Sequence, residues 1–294
     1  VTAVVGFIGL GVMGSAMAHH LLASGVQVLG VDIDERRIEA FRHDGGEAAD
    51  LDALAGRADV IVTSLPSAIA ARQVLGATSP LYTPALREAI IIETSTLALS
   101  IKRDLQAQSA LHGVTLLDCP MSGTGHQAMN ADLVAYLSGD VEEAKARVRP
   151  VLECFTRDVH DVGLFGAGTS TKLVANLLVA IHNCAAAEAM LLAQTLGLEP
   201  QATMRAVSDG AGQSRMFDVR APLMVDQRYE PASMRVSLFM KDIALIADLQ
   251  ARLGNFSPLF QATQAIYEEV MEQGMGEWDT ACVYDLLKLR GKGR

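Results

Sequence analysis

Through the first half of the chain, short apolar runs rich in β-branched residues alternate with segments whose apolar positions recur every three to four residues. The runs Ala3–Ile8, Val26–Asp32, Asp59–Leu65, Ala89–Glu93, Val114–Cys119 and Leu133–Ser138 read as strands. Between most of them, Met13–Ala23, Glu35–Arg42, Ser67–Leu75, Ser100–Leu111 and Val141–Cys154 read as helices. Such alternation implies parallel strands joined by crossover helices. After about Gly163 the strand pattern stops. Thr169–Leu196, Pro200–Val207, Val236–Leu253, Pro258–Gln273 and Thr280–Lys288 all carry the helical period, and "GLFGAG" at Gly163–Gly168 marks the junction. The expected organisation is therefore an α/β domain over residues 1–164 and an all-helical domain over 165–294, joined through a long helix. At 294 residues the chain exceeds what one ordinary core organises.

Composition narrows the class. Half of the residues are apolar and 20% are charged, which marks a globular rather than a disordered chain. A net charge of −10 without basic clusters argues against a nucleic-acid partner. The four cysteines are scattered, with no CxxC pair, so neither a zinc site nor a disulfide framework is expected. Buried, reduced thiols in a cytoplasmic protein fit instead. The opening "VTAVVGFIGL" lacks the basic start of a targeting segment. The run Leu173–Leu196 has the length of a membrane span. Asn176, His182, Asn183 and Glu188 interrupt it, which points to a buried helix and no membrane.

"VVGFIGLGVMG" places Gly9-x-Gly11-x-x-Gly14 directly after a strand and before a helix, with Leu10, Val12 and Met13 between the glycines. In that context the spacing is a dinucleotide-binding turn. The first glycine makes the tight turn, the second admits a pyrophosphate, and the third lets helix and strand pack. Exposed N–H groups at the helix start then face the phosphates. The first domain is accordingly expected to be a Rossmann-type doubly wound sheet. Asp32 ends the second strand, where a carboxylate accepts from both ribose hydroxyls and repels a 2′-phosphate, so NAD is expected over NADP. Asp34 suits the start of the following helix. Leu65 and Pro66, in "TSLPS", and the hydroxyls of Ser95 and Thr96, in "ETSTL", follow strand ends that face the ligand crevice.

Lys172 lies near the head of the most apolar stretch of the chain, "GTSTKLVANLLVAIHNCAAAEAMLLAQ". Capped by Thr169 or Ser170, that helix would carry Lys172 in its first turn, the wrong end for a cation. Helix stability therefore does not account for it. Asn176 follows on the same face and Asn183 extends the line. The position also falls at the junction between the domains, where ligand pockets form. Desolvation, the helix terminus and a cationic nicotinamide all favour the neutral amine, which suits a general acid/base. "DCPMSGTGHQ" offers Ser122, Gly123 and Thr124 in a loop of small residues able to hold a carboxylate. Lys241 heads a further apolar pattern, "LFMKDIALIADL".

Together these segments resemble the β-hydroxyacid dehydrogenase family, the 3-hydroxyisobutyrate dehydrogenase-like enzymes. "GFIGLGVMGSAMAHHL" is similar to the family's cofactor motif and "DCPMSGT" to its substrate motif. "GAGTSTKLVAN" is similar to its catalytic motif, and Lys241–Asp242 to its C-terminal motif. The resemblance implies that Lys172 is the acid/base, that Asn176 hydrogen-bonds the substrate, and that Ser122, Gly123 and Thr124 anchor a carboxylate. It implies that Thr96 and Lys241 sit beside the nicotinamide, with Lys241 also reaching the substrate. It further implies a small hydroxy acid as substrate and a homodimer or homotetramer. Thr124 stands where the family has a second glycine, and Gln127 and Ala131 where glycine is expected. The exchanges re-polarise the loop, with His126 and Gln127 as further hydrogen-bonding groups for a more polar substrate. Two other readings are an imine-reducing relative of the same fold and a non-catalytic dinucleotide-binding protein. Lys172 weighs against the first, and Lys172 with Asn176 against the second.

Overall fold

The computed structural model describes residues 4–292; Ala3, the first residue of the expected leading strand, lies outside them. The chain divides into two compact units, one up to Lys172 and one from Leu173 onward. In the first, β1 (Val4–Ile8), α1 (Val12–Ala23), β2 (Gln27–Val31), α2 (Glu35–His43), β3 (Glu47–Ala48), α3 (Leu51–Arg57), β4 (Val60–Thr63), α4 (Ala68–Leu75), β5 (Ile90–Glu93), α5 (Leu99–Leu111) and β6 (Thr115–Asp118) follow in order. The six strands form one sheet in the order β3-β2-β1-β4-β5-β6, all parallel. Every residue of β4 and β5 is buried, as strands covered on both faces require. The register aligns the strand ends: Ile8 pairs with Val31 and Thr63, Thr63 with Glu93, and Glu93 with Asp118. The glycine turn, Asp32 and the loops after Thr63, Glu93 and Asp118 thus leave the sheet along one edge. The strand order reverses between β1 and β4, which is where such sheets bind ligands.

The run at Leu133–Ser138 departs from expectation. It forms β8 (Leu133–Leu137) of a separate small sheet, between β7 (Met121–Ser122) and β9 (Thr156–Asp161). β7 is antiparallel to β8, and β9 is parallel to it. The sequence "TRDVHD" of β9 is too polar to read as a strand, and β3 and β7 are too short. Two further helices complete this unit: α6 (Gly125–Met129) and α7 (Glu142–Leu152). α8 (Ala167–Thr195) then runs across the division between the units.

The second unit is helical, with the remainder of α8, α9 (Pro200–Ser208), α10 (Arg215–Val225), α11 (Val236–Leu253), α12 (Pro258–Glu272) and α13 (Val283–Lys292). Phe217, Phe239, Phe260 and Tyr267 centre its core. α10 was not legible, because Pro222 interrupts its pattern; burial of Phe217, Ala221 and Met224 holds the helix nonetheless. Asn183, expected to continue a functional face, is a buried tie. Its Nδ2 donates to Tyr267 Oη at 2.7 Å and to the Thr280 carbonyl at 2.8 Å.

The head of α8 is not capped by its own residues. The Ser170 hydroxyl donates back to the Gly166 carbonyl. Asp118, at the end of β6, instead accepts from the Thr169 amide at 2.7 Å and from its hydroxyl at 2.8 Å. The Gly168 amide donates to Ser138 Oγ at 2.9 Å. The helix begins earlier than expected, so Lys172 stands in its second turn. Gly168 is sterically required there: a Cβ would lie 2.4 Å from the Tyr136 carbonyl oxygen and 2.8 Å from that of Asp118. Because both obstacles are backbone, Gly168→Ala should destabilise the protein by about 1–3 kcal/mol, seen as a fall in the thermal midpoint relative to Gly56→Ala in α3, whose Cβ meets nothing within 4 Å.

Candidate active site

The glycine turn separates into three physical roles. Gly9 has φ +93°, and a Cβ on it would sit 2.3 Å from the Ser64 carbonyl oxygen. At Gly14 a Cβ would come within 1.9 Å of the Gly9 carbonyl oxygen. Both are therefore demanded by the fold itself. Gly11 is different: its nearest neighbour would be Arg37 Nη1 at 3.7 Å, and its backbone is extended. The space beside it fits the close approach of a pyrophosphate to the first-turn N–H groups of α1, Val12 and Met13 among them. Leu10, by contrast, is a core residue, and its amide donates to Asp32 Oδ2 at 2.7 Å.

Asp32 organises the turn after β2. Its other oxygen accepts from the Asp34 amide at 2.8 Å, and Arg37 Nη1 lies 3.4 Å from Oδ2. Asp34 caps α2 through the Arg36 amide and pairs with the Arg36 guanidinium at 3.0 Å. That hydrogen bond to Arg36 holds the Asp34 carboxyl below its ordinary value. Two arginines thus face two carboxylates, leaving no excess positive charge. A pocket of about 370 Å³ opens beside them, lined by Leu10, Ser15, His19, Arg36, Arg37 and Phe41 among others.

The next two loops are joined. Ser95 is buried, and its hydroxyl accepts from the Leu65 amide at 2.8 Å, so it serves the turn rather than facing outward. Thr96 and Leu65 are half-buried and Pro66 is exposed. In the loop after β6, Ser122 ends β7, and Gly123 has φ +142°. Thr124 begins α6 in a capping box: Gln127 Oε1 accepts from the Thr124 amide at 3.1 Å, and Gln127 Nε2 donates to Asp132 at 3.2 Å. Both ends of Gln127 are therefore engaged within the loop, so it is a brace rather than a spare hydrogen-bonding group. Ala131 adopts φ +51°, a left-handed conformation that accounts for the expectation of glycine there.

Lys172 is 8% exposed and Asn176 4% exposed, one helical turn apart on α8. Asn176 Nδ2 donates to Asp242 Oδ2 at 2.9 Å. That bond fixes the carboxamide and directs its oxygen away from the carboxylate. Lys241 is exposed, with its ammonium 3.8 Å from Asp242 Oδ1.

Comparison with known proteins follows the same division of the chain. Residues 4–163 match the NAD binding domain of 6-phosphogluconate dehydrogenase. Residues 166–287 match the domain described as NAD-binding of NADP-dependent 3-hydroxyisobutyrate dehydrogenase. The L-threonate dehydrogenase of Cupriavidus necator is 30% identical over 98% of both chains. The mitochondrial 3-hydroxyisobutyrate dehydrogenase of Mus musculus is 28% identical, over 97% of this chain and 87% of its own. The crystal structure of 3-hydroxyisobutyrate dehydrogenase from Salmonella typhimurium, 29% identical, superposes with a TM-score of 0.84 over 97% of this chain and 99% of its own. This chain belongs to the β-hydroxyacid dehydrogenase family. It is thereby an NAD(P)-dependent oxidoreductase of the class acting on CH–OH groups.

Sequence reasoning missed one group of residues behind the site. Lys102 of α5 is wholly buried, in a close ion pair with Glu93 and 2.7 Å from Asp118 Oδ1. Burial opposes its charge, but the carboxylates of Glu93 and Asp118 more than offset this and raise its pKa above the ordinary lysine value. A raised folded-state pKa contributes stability that is fully present below the unfolded value, about 10.4, and is lost only as pH rises through the folded one. Removing one partner of such a buried set costs about 3–5 kcal/mol. The signal was available: Lys102 shares its buried helix face with Leu105 and Ser109, and Glu93 closes the apolar strand "IIIE". For the cofactor end, Gly11→Ala should fold with an unchanged thermal midpoint yet bind NADH about tenfold or more weakly in a fluorescence titration, since the pyrophosphate needs the space a Cβ would fill.

Proposed function

We propose that this protein oxidises the hydroxyl of a small 3-hydroxy acid, or reduces the matching aldehyde acid, with NAD and with Lys172 as general acid/base. The observation that carries this reading is the placement of Lys172. It is a nearly buried amine one turn from a fixed Asn176, on a helix whose head is held by the residue that opens the Asp118–Thr124 loop. In the oxidative direction neutral Lys172 takes the proton from the substrate hydroxyl as that oxygen becomes a carbonyl. In the reductive direction its ammonium returns the proton to the forming alkoxide. The cofactor, when bound, accepts or supplies the hydrogen with its electron pair at the adjoining carbon. Asn176 holds the substrate oxygen beside Lys172. Ser122, Gly123 and Thr124 anchor the carboxylate, which places the hydroxyl rather than reacting. Thr96 and Lys241 border the nicotinamide end.

The choice of NAD rests on Asp32. A carboxylate retains acceptor capacity for a ribose hydroxyl beyond its bonds to the Leu10 and Asp34 amides. A 2′-phosphate would meet arginines already matched by Asp32 and Asp34. The substrate class rests on relatives that act on L-threonate and 3-hydroxyisobutyrate, both short hydroxy acids.

Two measurements test the reading. Lys172→Ala should retain NADH binding and lose about 10²–10⁴-fold in kcat on L-threonate or 3-hydroxyisobutyrate, the usual worth of a positioned acid/base; turnover close to wild type would remove Lys172 from the role. Asp32→Asn drops the charge and keeps one of the two acceptors that receive the Leu10 and Asp34 amides, so its thermal midpoint is measured alongside. The ratio of kcat/KM for NAD over NADP, expected above unity in the wild type, should fall by about tenfold, a loss comparable to one charge-assisted hydrogen bond.

A further inference from the structure

Lys102 takes no part in the proton transfer proposed above, yet its setting is elaborate. Buried ion pairs can often be replaced by apolar side chains without loss of stability, so stability alone does not account for one ammonium between two carboxylates. What the arrangement adds is geometry. The Leu65 amide donates to Ser95 Oγ at 2.8 Å, and the Ser95 amide donates to Glu93 Oε1 at 2.9 Å. Glu93 pairs with Lys102, and Lys102 with Asp118 at 2.7 Å. Asp118 then receives the Thr169 amide at 2.7 Å and its hydroxyl at 2.8 Å. The path is continuous and buried for most of its length, and Lys172 lies three residues beyond its end. One ammonium against two carboxylates leaves a single excess negative charge, and the positive end of α8 faces it.

We propose that Lys102 is a positioning residue for Lys172: its ammonium locks the loops after β4 and β5 to the first turn of α8, and so sets where Lys172 stands relative to those loops. The inference rests on the reading of Lys172 as the acid/base. It attributes to Lys102 no contact with substrate or cofactor.

Lys102→Met alone leaves two carboxylates facing each other and is expected to unfold. The double variant Lys102→Met/Glu93→Gln retains the single excess negative charge, and the carboxamide oxygen it introduces can still accept from the Ser95 amide. Thr169→Val removes only the hydroxyl bond to Asp118 and conserves shape. Each is compared with wild type by thermal midpoint, NADH titration, steady-state kinetics on L-threonate or 3-hydroxyisobutyrate, and amide hydrogen exchange at residues 169–172. The double variant should bind NADH within about threefold of wild type. Its kcat should fall by about tenfold or more with little change in KM, as displacement of a catalytic group by a fraction of an ångström produces. Exchange at 169–172 should quicken while β1 stays protected, and Thr169→Val should shift in the same direction by less. A folded double variant with unchanged kcat or unchanged exchange overturns the proposal. So does a loss of kcat matched by an equal loss of NADH binding, which would make Lys102 general scaffold. Lys172→Ala assayed alongside separates the two readings. If it too keeps turnover, the acid/base reading fails and this proposal with it. If it alone loses turnover, only the role of Lys102 falls.

Discussion

The Asp118 carboxylate is the point on which the first unit turns. One oxygen receives the Lys102 ammonium and the Thr169 hydroxyl, and the other receives the Thr169 amide. Its backbone pairs with Ser138, the residue that follows β8 of the second sheet, while its strand pairs with β5 of the first. Two sheets, a crossover helix and the head of the long helix therefore meet at a single buried charge. A charge so placed is tolerable only when every neighbour matches it. An ammonium and a helix N-terminus together supply that match, and either alone would leave the site unbalanced.

A second constraint is register. Because β1, β2, β4, β5 and β6 end level with one another, the residues that follow them emerge along one edge. The glycine turn, Asp32 and the loops at Leu65, Ser95 and Asp118 are brought together by pairing rather than by sequence proximity. The helical unit contains a parallel case: buried Arg220 holds Asp279 at 2.7 Å, and Asp279 also receives the amides of Ser233 and Met234. In both units one paired carboxylate gathers chain segments that the sequence keeps far apart.

Much of the candidate site was legible because its signals are local. Three glycines at fixed spacing after a strand announce a phosphate turn, since the steric demands on Gly9 and Gly14 arise within a few residues of each. Asp32 was legible from its place at a strand end. Lys172 stood out as a lysine near the head of an apolar stretch, expected in the first turn of its helix and found in the second. Less was legible where a side chain's partner is remote. Ser95 reads as a hydroxyl offered to the ligand crevice and is a buried acceptor for the Leu65 amide. Gln127 looked available and braces Thr124. Asn183 looked functional and ties Tyr267 to Thr280.

From the sequence alone came the α/β and helical halves, the nucleotide turn, and the family of the chain. Periodicity, glycine spacing and a lysine–asparagine pair are properties of neighbouring residues and need no fold to be read. Tertiary structure alone decided that Leu133–Leu137 joins a second sheet, that Asp118 rather than Thr169 or Ser170 caps the long helix, and that Lys102 lies buried between two carboxylates. These depend on contacts across tens of residues, where the charge and hydrogen-bonding needs of one segment are met by another. No local pattern encodes which partner will arrive.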